Sequence, residues 1–70
     1  MRKFTTRDRQ TGEIRFWRHT GTTLETHKRG EKWRIVEDNL PDGDGGIVGN
    51  GSDGVGLHIR LCGFDIIKES

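Results

Sequence analysis

Alanine is absent from this chain, while Thr, Ile and Val together supply sixteen of its seventy residues. The best helix former is missing, and the β-branched side chains that suit a pleated sheet are enriched. Local stiffness at these positions favours extended backbone. The expected class is therefore all-β, a single small domain over residues 1–70 arranged as an antiparallel meander or a partly closed barrel of five to six strands. A domain of this length buries only about 60% of its unfolded surface, so a thin core is expected and a pocket for a small-molecule substrate is not.

Apolar side chains make up 29% of the residues and charged ones 33%. No run of consecutive apolar residues exceeds two, far short of the about 20 that a membrane span needs or the about 7–15 of a signal peptide. The single cysteine, Cys62, has no partner for an internal disulfide. Small secreted domains lean on such staples, so an intracellular, cytoplasmic setting without membrane contact is expected. Cys62 itself reads as a small buried hydrophobe.

Residues 2–8 and 13–19 read as two strands joined by the loop Gln10-Thr11-Gly12 and closed by Arg9 and Glu13. Glycine at the end of a three-residue loop suits a type I turn followed by a left-handed residue. In that register Arg7 lies opposite Arg15. Phe4, Thr6, Ile14 and Phe16 then share the inner face, and Lys3, Thr5, Arg7, Arg15, Trp17 and His19 share the outer one. A second hairpin, 22–28 with 31–37, turns at Arg29-Gly30. It sets Leu24 opposite Ile35, Thr26 opposite Trp33, and Glu25 opposite Arg34, the last a favourable cross-strand pair worth about 0.2–1 kcal/mol. The competing expectation for 31–39 is one short helix, since Trp33, Val36 and Leu40 recur at helical spacing before Pro41. Residues 43–56 hold seven glycines and read as a flexible loop. Beyond it Leu57, Ile59 and Leu61 alternate as a strand, and Gly63 marks a bend that returns Phe64 and Ile66 to the apolar side. The expected core is Phe4, Ile14, Phe16, Leu24, Ile35, Leu57, Ile59, Leu61 and Phe64.

Few of the motifs carry chemistry. Gly49-Asn50-Gly51-Ser52-Asp53-Gly54 matches the dinucleotide-binding glycine pattern in letters only, because a strand-like run rather than a helix follows, and Asp42, Asp44 and Asp53 would repel phosphate. Asp42-Gly43-Asp44 hints at calcium, but an EF-hand-like frame puts Leu40 and Gly51 where carboxylates belong. His19, His27, His58 and Cys62 lack zinc-ligand spacing. His27 with Glu25 on one strand face could serve acid–base chemistry, yet such pairs are routine on solvated strands. No catalytic residue, metal site or cofactor is expected, and the chain is not expected to be an enzyme.

Charge is the informative feature. Residues 1–35 carry ten Lys or Arg against four acids, while residues 36–70 carry two against seven, so a net charge of +1 conceals opposed halves. The expected site is the outer face of the first hairpin: Lys3, Arg7, Arg15, Trp17 and His19. Cations for phosphates beside a ring for a base suit nucleic acid. The partner expected is nucleic acid, or an acidic surface of a nucleic-acid-handling protein. The alternative is an inhibitor or adaptor of the kind mobile elements and viruses encode, which blocks a host enzyme by protein contact through the same Trp and Arg types.

Overall fold

The structure, a computed structural model, describes residues 1–41 and 54–70. Strands β1 (Arg2–Asp8), β2 (Ile14–His19), β3 (Leu24–His27) and β4 (Arg34–Glu37) precede helix α1 (Gly54–Leu61) and strand β5 (Phe64–Glu69). The five strands form one antiparallel sheet in the order β4-β3-β2-β1-β5. The first four make a meander, and β5 returns to the free side of β1. The sheet is open, with β4 and β5 at its edges, and does not close into a barrel. The protein is thus mostly β with one short helix. That helix lies at 54–61, and residues 34–37, where a short helix competed with a strand, are strand.

The first hairpin differs from its expected register by one residue. Phe4 faces Trp17, Thr5 faces Phe16 and Thr6 faces Arg15. The loop is the reason. Asp8, not Arg9, closes it: the Asp8 N–H donates to the Glu13 carbonyl at 2.8 Å and the Gly12 N–H to the Asp8 carbonyl at 2.9 Å. The Asp8 carboxylate also accepts the N–H groups of Gln10 and Thr11, at 2.7 and 3.1 Å. An aspartate bonding its own backbone two residues on builds a turn, and here it adds one residue to the loop. Gly12 completes the turn at φ +76°, in the left-handed region that glycine enters without a steric penalty. A one-residue shift sends every side chain of the strand to the other face. Trp17 and His19 therefore point into the core, at 2% and 1% exposure, while Ile14 and Phe16 point away from it.

The second hairpin turns at Arg29-Gly30 as expected, with the Glu31 N–H donating to the Lys28 carbonyl at 2.9 Å and Gly30 at φ +88°. Its pairing is again displaced: Glu25 faces Ile35, Thr26 faces Arg34, and Leu24 faces Glu37 across a register shift. Leu24 is therefore not opposite Ile35, nor Thr26 opposite Trp33. Glu25 finds its cation on the other neighbouring strand, where Arg18 Nη2 lies 2.6 Å from its carboxylate. Ile35 is left 59% exposed.

Residues 57–61, expected as strand, belong to α1. The end of the expected glycine-rich loop, residues 54–56, also lies in this helix; the remainder of that loop, the Asp42-Gly43-Asp44 segment and most of the dinucleotide-like pattern lie outside the described residues. Val55 and Ile59, four apart on one helical face, are fully buried, whereas Leu61 is 78% exposed. The alternation of apolar residues at 57, 59 and 61 was compatible with both periods, and packing against the sheet selects the helical one. Gly63, at φ +101°, ends the helix, with the Cys62 N–H donating to the His58 carbonyl and the Gly63 N–H to the Arg60 carbonyl at 3.1 and 3.0 Å. Cys62 is exposed in this turn, not buried. Phe64 and Ile66 do return to the core, as expected.

The core comprises Phe4, Trp17, Leu24, Val55 and Ile59, with Leu40, Phe64 and Ile66 packed around it. Of the expected core, Phe4, Leu24 and Ile59 are buried, Phe64 packs at the margin, Phe16 and Leu57 are half-buried, and Ile14, Ile35 and Leu61 are exposed. Trp17 meets Phe64 edge-on, ring centroids 5.3 Å apart. Among the described residues, the buried polar side chains Thr6, His19 and Thr26 come from strands on the same face. Thr26 donates to the Phe16 carbonyl at 2.8 Å, and His19 Nε2 bonds the Leu40 carbonyl at 2.5 Å, holding the segment after β4 over the β2–β3 turn. Arg9 ties the first loop to the far side of the fold, donating to the Arg60 carbonyl at 2.6 Å and to Asp65 at 3.0 Å. A cation on the last carbonyls of a helix complements its dipole.

Candidate functional site

Helix α1 covers one face of the sheet. Among the described residues, no element packs over the other. The register places Lys3, Thr5 and Arg7 of β1 on that open face, with Ile14, Phe16 and Arg18 of β2, Glu25 and His27 of β3, and Trp33 and Ile35 around the start of β4. The irregularity between β1 and β5 adds one more cation. Thr6 pairs with Ile66 but Thr5 pairs with Lys68, so Ile67 is extra on its strand and Lys68 is turned to the open face. Re-aiming a side chain is what a bulge does.

The aromatic side chains of this face form a row across three neighbouring segments. Phe16 and His27 have ring centroids 5.3 Å apart at an interplanar angle of 31°, and His27 and Trp33 are 4.1 Å apart at 55°. The guanidinium of Arg18 sits over the Trp33 ring, 4.2 Å from its centroid, while its Nε donates to Glu25 at 2.7 Å. The carboxylate thus fixes the guanidinium, and the guanidinium fixes the indole. Because the rings are tilted rather than coplanar, they leave a cleft of about 190 Å³ beside them, lined by Lys3, Thr5, Phe16, His27 and Trp33 among others.

Charge on this face is net positive. Glu25 is paired with Arg18, and Asp65, facing Arg7 across β1 and β5, is paired with Arg9. Lys3, Arg7 and Lys68 take part in no ion pair among the described residues. An anion meeting them displaces only water and counterions. In the first loop and second turn, Arg9 pairs with Asp65, and Lys28 lies 3.8 Å from Glu13 and 4.0 Å from Glu31, whereas Arg29 and Lys32 are exposed and, like the three cations of the open face, in no ion pair among the described residues.

Only part of the expected site survives. Lys3 and Arg7 are exposed on the open face. Arg15 falls on the helix-side parity, 14% exposed and 3.9–4.0 Å from Glu13 and Glu31. Trp17 and His19 are core residues and cannot meet a partner without unfolding. Their places are taken by Phe16, Arg18, His27 and Trp33, which the expected registers turned inward or left unassigned. The signal that would have found them is the sequence Asp8-Arg9-Gln10-Thr11-Gly12, in which the leading aspartate caps a four-residue loop.

The described residues contain no group of three His, Cys, Asp or Glu side chains able to hold a metal ion, and no helix long and apolar enough to cross a membrane. The exposed Cys62 borders a second concavity, with Asp8, Arg9, Gln10 and Gly63, in which Arg9 is already committed to the helix end and Asp65. Comparison with protein-family models, curated proteins and solved structures finds no match, so the chemistry of the open sheet face rests on its own side chains.

Proposed function

We propose that the protein is a non-enzymatic nucleic-acid-binding domain whose interface is the open face of its sheet. One observation carries this proposal: the Phe16–His27–Trp33 row lies beside three cations, Lys3, Arg7 and Lys68, that hold no ion pair among the described residues. Nucleic acid offers the two complements at once, base faces for rings and phosphates for cations. Stacking on an aromatic side chain is worth about 1–3 kcal/mol per base and tolerates any sequence.

The salt dependence of binding to a single-stranded oligonucleotide tests it. Three phosphate contacts predict a slope of log K against log salt near −2, about −0.7 for each contact on a single strand. Trp33→Leu should weaken binding while leaving the slope unchanged. A slope near zero, or no binding, would remove the proposal.

A second reading has its own support. Ile14 and Ile35, 37% and 59% exposed, flank the aromatic row on the same face. Aliphatic side chains around Trp and Arg suit a protein partner, consistent with an inhibitor or adaptor that acts by contact. Loss of binding to a protein partner on Ile35→Lys, with oligonucleotide binding unaffected, would favour this reading.

A further inference from the structure

We propose that the cleft beside Trp33 takes one unpaired nucleobase, with the strand continuing along β1 over Lys68 and Arg7; this rests on the nucleic-acid reading above. The size of the cleft sets the class of ligand. At about 190 Å³ it is smaller than the about 300–1,000 Å³ typical of sites for drug-sized ligands. It accepts a single planar heterocycle and not a whole dinucleotide cofactor. Its lining includes Phe16, His27 and Trp33 beside Lys3, Thr5 and Ser70, and the Arg18 guanidinium sits over the indole, so a heterocycle meets rings already fixed by their neighbours. Walls ordered in advance lose little freedom on binding.

The cations decide between a free nucleotide and a strand. Lys3 lines the cleft, where its ammonium can meet the phosphate on the sugar of the bound base. Lys68 lies level with Thr5, two residues farther along, and Arg7 two residues beyond that. At a rise of about 3.4 Å per residue, the three cations, two on β1 and one on the neighbouring β5, are spaced about 7 Å apart in the strand direction. The last is about 14 Å from the first, too far for the one phosphate of a mononucleotide to meet both. A chain of linked phosphates engages all three. A duplex does not fit this geometry, because its base faces are covered by their neighbours and cannot enter the cleft.

The test compares four ligands by competition against a labelled hexathymidylate: the unlabelled hexamer, a hexamer of abasic residues, thymidine monophosphate, and a duplex. The expected result is that the abasic hexamer binds about ten- to a hundredfold more weakly than hexathymidylate. The duplex should be similarly weak, and the mononucleotide should not compete at concentrations where the hexamer saturates. A 2-aminopurine in the hexamer should lose fluorescence on binding to the wild type and retain it with Phe16→Leu; Trp33→Phe, which keeps a ring, should bind nearly as the wild type does. Equal binding of the abasic hexamer overturns the base cleft while leaving a phosphate-driven interface standing. A mononucleotide that competes as well as the hexamer overturns the strand and leaves a nucleotide site. Failure of every ligand to bind removes the nucleic-acid interface itself, and the cleft with it.

Discussion

The indole Nε1 of Trp17 donates to Thr6 Oγ1 at 2.8 Å, and Thr6 in turn donates to the carbonyl of Arg15 at 3.0 Å. The two side chains share the covered face of adjacent strands, in a core made of Phe4, Leu24, Val55 and Ile59. A buried donor without an acceptor carries its full desolvation cost. Thr6→Val, close in shape but lacking the oxygen, is expected to destabilise the fold by about 1–3 kcal/mol. Thr6→Ser keeps the acceptor and should lose less. Urea denaturation of both variants reads the difference, and equal stability of Val and wild type would mean that the indole does not depend on this bond.

Trp17 and Phe16 separate the two possible registers. Trp17→Ala removes a core side chain and should cost about 3–5 kcal/mol, enough to consume most of the stability of a small domain. Phe16→Ala takes a half-buried ring from the open face and should leave a cooperative thermal transition. The opposite outcome would restore the register in which Arg7 faces Arg15.

Much of the fold was legible in composition and turn chemistry, and much of the site was not. The lack of alanine and the glycines at 12, 30 and 63 correctly imply strands, two hairpins and a sharp turn before Phe64. Register is a finer quantity, because alternating apolar and polar residues fit either face when a strand carries rings at both parities, as Phe16-Trp17 does. Asp8 settles it through two hydrogen bonds to its own loop, a local effect that hydrophobic pattern does not contain. The site moved with the register: Trp17 and His19 went in, and Phe16 came out. The strand expected at 57–61 failed for another reason. Leu57, Ile59 and Leu61 alternate, but Val55 and Ile59 at helical spacing give the sheet one compact stripe to bury.

The loop chemistry itself can be tested. Asp8→Ala removes the acceptor for Gln10 and Thr11, whose N–H groups then depend on water, with an expected loss of about 0.5–1.5 kcal/mol. Gly12→Ala places a Cβ at φ +76° and should cost about 1 kcal/mol through backbone strain although open space surrounds it. Chemical denaturation of each variant provides the numbers. Removing both leaves the four-residue loop without its two local determinants, and cross-strand nuclear Overhauser contacts between Phe4 and Trp17 report whether the register persists.

His19 offers a check on the segment leading out of the sheet. Its Nε2 bonds the Leu40 carbonyl, while the Leu40 N–H donates to the Thr22 carbonyl at 2.7 Å. His19→Ala removes the first bond and opens space beneath the second. The Leu40 amide should then exchange faster with solvent, and stability should fall by about 1–3 kcal/mol. Unchanged exchange at Leu40 would show that Pro41 and the Thr22 bond hold the segment without the imidazole.

Charge reversal on the two hairpin faces is the most direct separation of interface from scaffold. Lys3→Glu combined with Arg7→Glu alters two exposed side chains that hold no ion pair among the described residues, so the fold should shift by no more than about 0.5 kcal/mol. Both face the same solvent as the Phe16–His27–Trp33 row, and reversal replaces attraction for phosphate with repulsion. Oligonucleotide binding is expected to disappear at moderate salt. Arg15→Glu is the matching control, since Arg15 lies on the covered side of β2 between Glu13 and Glu31. There the new carboxylate would meet two others, so the effect should fall on stability, while the folded fraction binds nucleic acid as the wild type does. The two variants therefore predict opposite pairs of results in a thermal melt and a binding titration. If Arg15→Glu abolished binding in a fully folded protein, the interface would lie on the helix side of the sheet, and the open face would be solvated surface.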